Sequence, residues 1–204
     1  MNRALSLTAS ALLLALACSQ GVLAQDAGAS PTAVTVGAGD TATALAQKLR
    51  KTGNVVAAFF GDGAANQGVL YEALNLSSVW RLPVIFLCEN NGWAEMTATA
   101  ATIKIDDLSM RAQGYGIPGF TIDGNDPLIV RDTVQSAVAR ARRGEGPSLI
   151  ECKTARLWGH YNRDIEHYRD RQDKERAEAD DEESSHESAA LASDLGEQVA
   201  RETG

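Results

Sequence analysis

"NVVAAFFGDGAANQGVLYEALNLSSVWRLPVIFLCENNGW", residues 54–93, decides the fold. It opens on a continuous apolar run of strand length, Asn54 to Phe60, and nears its end on a second, Leu82 to Cys88. Neither run alternates with polar residues, which suits strands covered on both faces. Between them Val69, Leu70, Ala73, Leu74 and Leu76 recur at helical spacing. A strand, a helix and a strand with short joints make a parallel, right-handed crossover. Both strands then finish on one edge of the sheet, which brings Asp62 after the first beside Asn91 after the second.

The rhythm continues on either side. "TALAQKLR" before the first strand reads as a short amphipathic helix. Downstream, "IDDLSMRAQGYG" predicts a short helix capped by Asp106 or Asp107, and "GFTID" a third strand. In "NDPLIVRDTVQSAVARARRGEG", Asp126 precedes Pro127 at a helix start. Basic residues close that helix and Gly144 stops it, and "PSLIECKT" is a fourth strand. The fold class is α/β, an open, mostly parallel sheet with helices on both faces.

The 204 residues allow one principal domain, expected over 41–169. Residues 1–24 place Arg3 ahead of "ALLLALAC" and end on a small-residue cleavage pattern, the features of a secretory signal. That run is too short for a comfortable membrane span, so none is expected once it is removed. Residues 25–40 read as a linker rich in small and turn-forming residues, and 170–204 as a charged, disordered or frayed helical tail. The net charge is -8 and the basic residues form no stripe, which excludes an ordinary nucleic-acid footprint. Three cysteines without metal-ligand spacing read as buried apolar residues.

The sheet edge is where the chemistry is expected, because open α/β sheets bind ligands outside the carboxyl ends of their strands. Gly61 and Gly63 let backbone approach a bulky anion, and the helix start after them offers free N–H groups to phosphate. The carboxylate of Asp62 and the amide oxygen of Asn91, completed by phosphate and water oxygens, suit magnesium beside a diphosphate. A dinucleotide fingerprint competes, with Glu89 near the place of the ribose-binding acid. It fails where Asn66 stands in place of the third glycine.

"GDGAANQGVLYEALNLSSVWRLPVIFLCENNGWAEMT" resembles the thiamine-diphosphate signature of one family, and the likeness continues through "AQGYGIPGFTIDGND" and "ARRGEGPSLIECKTARLWGHYNRDIEHYR". That family is the alpha subunit of the decarboxylating dehydrogenase component of 2-oxo acid (pyruvate or branched-chain) and acetoin dehydrogenase complexes. The resemblance implies an incomplete thiamine-diphosphate-binding fold, truncated at both ends. It implies that Asp62, the Asn91 side chain and the Trp93 carbonyl hold Mg2+, and that Gly61, Gly63 and Ala64 contribute to the diphosphate site. His160 matches the histidine of the active-site loop, near the cofactor, and Asp164, Tyr168 and Arg169 match the rest of that loop. Ile165 departs from it, since relatives usually carry proline there.

The partners so implied are a beta subunit in an alpha2beta2 assembly, which supplies the activating glutamate, and a lipoyl-bearing acyltransferase. A small 2-oxo acid or acetoin is the implied substrate, with "NNGWAEMT" closer to the acetoin branch. The chain alone is then half an active site. The alternative reading is a non-catalytic, exported remnant of the fold, with a dinucleotide-binding domain behind it. The resemblance implies a cytoplasmic location; residues 1–24 imply export.

Overall fold

The computed structural model describes residues 33–35 and 38–183. The signal-like segment 1–24 and the last part of the tail, 184–204, lie outside the described residues. The chain runs β1 (Ala33–Thr35), α1 (Ala38–Arg50), β2 (Val56–Gly61), a 3-10 helix (Asp62–Asn66), α2 (Gly68–Val79) and β3 (Val84–Asn90). A hairpin of β4 (Trp93–Ala94) and β5 (Thr97–Ala98) follows, then 3-10 helices at Thr99–Ala101 and Leu108–Tyr115. Last come β6 (Gly119–Asp123), α3 (Pro127–Arg142), β7 (Ser148–Lys153) and α4, residues 171–183.

The main sheet is wholly parallel, in the order β1-β2-β3-β7-β6. Its register sets Gly61 opposite Glu89, Glu89 opposite Cys152, and Cys152 opposite Ile122. Four strand ends thus finish level, and the turns that leave them share one edge.

Strand periodicity explains why the apolar runs are unbroken. Successive side chains point to opposite faces. In β3, Val84, Phe86 and Cys88 enter the core that also holds Leu70, Ala73 and Leu74 of α2. Ile85 and Leu87 enter the other, with Val130, Val134 and Ala137 of α3. Helices therefore cover both faces, and the expected α/β architecture is the one observed.

Several local expectations change. The segment read as linker contributes β1 and the start of α1, because "AVT" pairs alongside β2 once that strand offers an edge. Leu76, placed on the buried stripe, is 38% exposed, and Ser77 is buried instead. The helix expected from "IDDLSMRAQGYG" is 3-10, and although Asp107 occupies its cap position, the side chain caps nothing. The Ser109 amide, which such a cap would engage, donates to the Glu151 carboxylate at 2.9 Å. Asp126 does cap α3, accepting from the amides of Leu128 at 2.7 Å and Ile129 at 3.2 Å. Of the charged tail, 171–183 is helical and buries Ala177. Arg169, buried itself, fastens its first turn through Asp173 at 2.8 Å.

Candidate functional site

Two turns meet at the sheet edge. β2 leaves at Gly61 in extended conformation, and the chain then winds into the 3-10 helix from Asp62. Asp62 is 2% exposed and its carboxylate accepts a hydrogen bond from the Thr99 hydroxyl. Gly63 packs so tightly on the hairpin that a Cβ there would lie 2.7 Å from Ala94 Cβ. Arg111 braces the turn from behind, donating to the Ala65 carbonyl and to Asn66 Oδ1 while lying over the Tyr71 ring.

The second turn leaves β3. Asn90 accepts from the Gly92 amide at 3.1 Å, and Asn91 accepts from the Trp93 amide at 3.0 Å. Gly92 has φ +79°, a conformation open to glycine, and its carbonyl accepts from the Thr99 amide at 2.8 Å. Thr99 therefore joins both turns, with its hydroxyl on Asp62 and its amide on Gly92.

The segment after β7 folds back over this edge. Arg156, 9% exposed, donates to the Glu95 carbonyl at 2.6 Å, the Tyr168 hydroxyl at 2.8 Å and the Trp158 carbonyl at 3.1 Å. Asp164 accepts from Tyr168 at 2.5 Å, from the His160 amide at 2.9 Å and from the Glu166 amide at 3.0 Å. The Tyr168 hydrogen bond, helped by those amides, holds the Asp164 carboxyl below its usual range. The Trp93 and Tyr168 rings lie 5.4 Å apart, and His160 Nε2 stands 3.9 Å from the Glu95 carboxylate.

Under this segment lies a cavity of about 240 Å³, lined by Glu89, Asn91, Cys152, Arg156, His160 and Asp181 among others. Asn91 and His160, far apart in sequence, thus come together. Asp62 does not line the cavity and is turned inward toward Thr99. Glu89 keeps contact with solvent, and burial against the wall still pushes its carboxyl pKa up. Burial, with the negative charges of Glu89 and Glu151, pushes the Cys152 thiol up to about 12.

The set Asp62, Asn91 and the Trp93 carbonyl offers oxygen donors only, the chemistry a hard cation such as Mg2+ takes. Among the described residues there is no group of three or more His, Cys, Asp or Glu that could hold a metal ion. Sequence reasoning missed Thr99, Arg111, Arg156 and Glu151. Only Glu151 left a signal, a carboxylate inside the apolar strand "PSLIECKT".

The dehydrogenase E1 component family model matches residues 21–192. Over 126 residues the chain is 50% identical to the alpha subunit of an acetoin:2,6-dichlorophenolindophenol oxidoreductase of Cupriavidus necator, covering 62% of this chain and 38% of that protein. The Bacillus subtilis protein of the same name is 46% identical over 132 residues, 65% of this chain and 40% of its own. A 2-oxoisovalerate dehydrogenase subunit alpha from Bacillus subtilis is 44% identical over 139 residues, 68% and 42% of the two chains. The chain spans about two fifths of the length of these relatives. With a family match that runs across most of its length, this chain belongs to the dehydrogenase E1 component family.

Proposed function

We propose that the chain is the magnesium- and thiamine-diphosphate-binding part of an alpha subunit in a 2-oxo acid or acetoin dehydrogenase. One observation carries this reading: Thr99 ties the Gly-Asp-Gly turn to the Asn-Asn-Gly-Trp turn at the edge where His160 also lies. Asp62, the Asn91 side chain and the Trp93 carbonyl would hold Mg2+, with the amides of Gly63 and Ala64 directed to the diphosphate. When bound, the cofactor supplies a thiazolium carbon nucleophile and an electron sink for carbon–carbon cleavage. His160, half exposed and lining the cavity, would hold or hand on a proton there.

A beta subunit would complete the site and a lipoyl-bearing acyltransferase would take the acyl group. Acetoin is the substrate we favour, since two relatives named for acetoin reach 50% and 46% identity against 44% for the 2-oxoisovalerate protein. Calorimetric titration of the full chain, assembled with its beta subunit, against thiamine diphosphate tests the reading. Binding should require Mg2+ and should vanish in Asp62→Ala while the far-UV circular dichroism stays that of the parent. Equal binding by mutant and parent ends this reading.

A further inference from the structure

Glu151 sits in the middle of the sheet, on β7, with no exposed surface. An ionised carboxylate accepts and cannot donate, and this one meets four donors. Asn90 Nδ2 lies at 2.6 Å and Lys153 Nζ at 3.1 Å from one oxygen; the Ser109 amide at 2.9 Å and the Thr121 hydroxyl at 3.2 Å face the other. A charge taken wholly out of water is costly even when paired, and a packed apolar residue in its place is often no less stable. A carboxylate at this position calls for a purpose that stability alone does not supply.

The Asn90 contact supplies one. Asn90 is itself buried, and its amide is engaged at both ends, giving Nδ2 to Glu151 and taking the Gly92 amide on Oδ1. An amide side chain can be turned either way, and its surroundings choose the direction. Because Glu151 only accepts, Asn90 must present Oδ1 to Gly92. The turn so held carries Asn91 and Trp93, and its Gly92 carbonyl fixes Thr99, which in turn reaches Asp62.

We infer that Glu151 is a positioning residue which, through Asn90, sets the Asn91–Trp93 turn and so aligns the oxygens that would hold the metal. This rests on the cofactor reading above for its purpose, though not for its geometry. Glu151→Gln keeps the shape and cannot satisfy both ends. If its new NH2 group faces the Ser109 amide, two donors meet. If it faces Asn90, that side chain must flip and set its own NH2 against the Gly92 amide.

Amide hydrogen exchange, read residue by residue by NMR on the full chain without cofactor, tests the inference. In Glu151→Gln the Gly92 and Thr99 amides should exchange at least about tenfold faster than in the parent, with Leu87 unchanged. Thr121→Val removes a different partner of Glu151 and should leave Gly92 and Thr99 as they were; equal loosening there would make Glu151 merely structural and overturn the inference. Unchanged exchange at Gly92 and Thr99 in Glu151→Gln would also overturn it. Should that variant fail to fold, Asn90→Ala breaks the same link without altering the charge, and parental exchange at those two amides would be decisive against us. The outcome is independent of the Asp62→Ala titration: a chain that binds no cofactor leaves the exchange result standing, and parental exchange leaves the cofactor reading standing.

Discussion

The two glycines that flank Asp62 make different demands, and substituting each by alanine separates them. At Gly63 a Cβ would stand 2.7 Å from Ala94 Cβ and 3.1 Å from Ala94 Cα. Carbon atoms rest at about 3.5–4.0 Å, so the overlap is roughly 1 Å. Neither atom is the far end of a flexible side chain, and relief requires the hairpin or the 62–66 turn to move bodily. Overpacking of this kind costs about 1–3 kcal/mol. At about 2–4 °C per kcal/mol for a chain of this size, Gly63→Ala should melt roughly 2–12 °C lower. Gly61 is the counter-case. Its backbone is extended, at φ −85° and ψ 164°, and the nearest atom to an added Cβ is the Glu89 carbonyl oxygen at 3.9 Å. Alanine fits there, and by narrowing the unfolded ensemble it should be neutral or stabilise by up to about 1 kcal/mol. Urea denaturation followed by circular dichroism measures both. Adding Ala94→Gly to Gly63→Ala removes the 2.7 Å contact and leaves the 3.1 Å one, so part of the loss should return as a coupling of about 0.5–3 kcal/mol. Were the two glycine variants equally stable, or the double mutant merely additive, the packing argument would be wrong and Gly63 would be explained only by a ligand.

Asp164 predicts an acid transition confined to the loop that carries His160. Its folded pKa lies below its ordinary 3.8, so its stabilisation is complete above that value and is lost as pH falls through the depressed folded pKa. Fluorescence of the nearby Trp158 should report the loop loosening in that acid range, and Asp164→Asn should remove the pH dependence; a transition that survives this change assigns it to another group. Cys152 gives the opposite expectation for a cavity residue. With its thiol held up to about 12 it stays protonated near pH 8, so iodoacetamide should leave it intact in the native chain and label it in urea, and rapid native labelling would contradict this placement.

Much of the frame was legible because it follows from periodicities. The unbroken run Val84–Cys88 implied two covered faces, and the structure divides it between two cores. Asp126 with Pro127 signalled a helix start through local chemistry alone, and the side chain caps as expected. What escaped depended on partners distant in sequence. β1 carries three residues among turn formers, and only the edge of β2 makes it a strand. The insertion of β7 between β3 and β6 is a matter of sheet order, which local pattern does not encode. Thr99 looks like any threonine until the hairpin carries it between Asp62 and Gly92. The Gly-Asp-Gly motif suggests that Gly63 serves close approach to an anion, whereas its steric requirement comes first from Ala94.

The supports of the edge differ in depth, and that difference orders its motions. Glu151, Asp62 and Asn90 are all nearly without exposed surface, so the two turns that would hold a metal are fastened by bonds water does not reach easily. The His160 segment is fastened otherwise. Its bonds run through Arg156 and Arg169, both largely buried, and through Asp164, Tyr168 and Glu166, which keep contact with solvent. Arg163 and Glu166 within it have φ of +74° and +53°, unfavourable for residues with a Cβ. Trp158, Tyr161 and Ile165 present apolar surface outward, at 62%, 54% and 70% exposure. Segments with few buried contacts and strained backbone open at lower free energy than the core that carries them. The His160 segment should therefore detach as a unit while the turns stay formed, once Arg156 releases the Glu95 carbonyl and Tyr168 and Arg169 leave the Trp93 ring. In the cofactor reading proposed above, such a division would keep the oxygens assigned to the metal constant while His160, on the looser segment, could leave and regain the cavity.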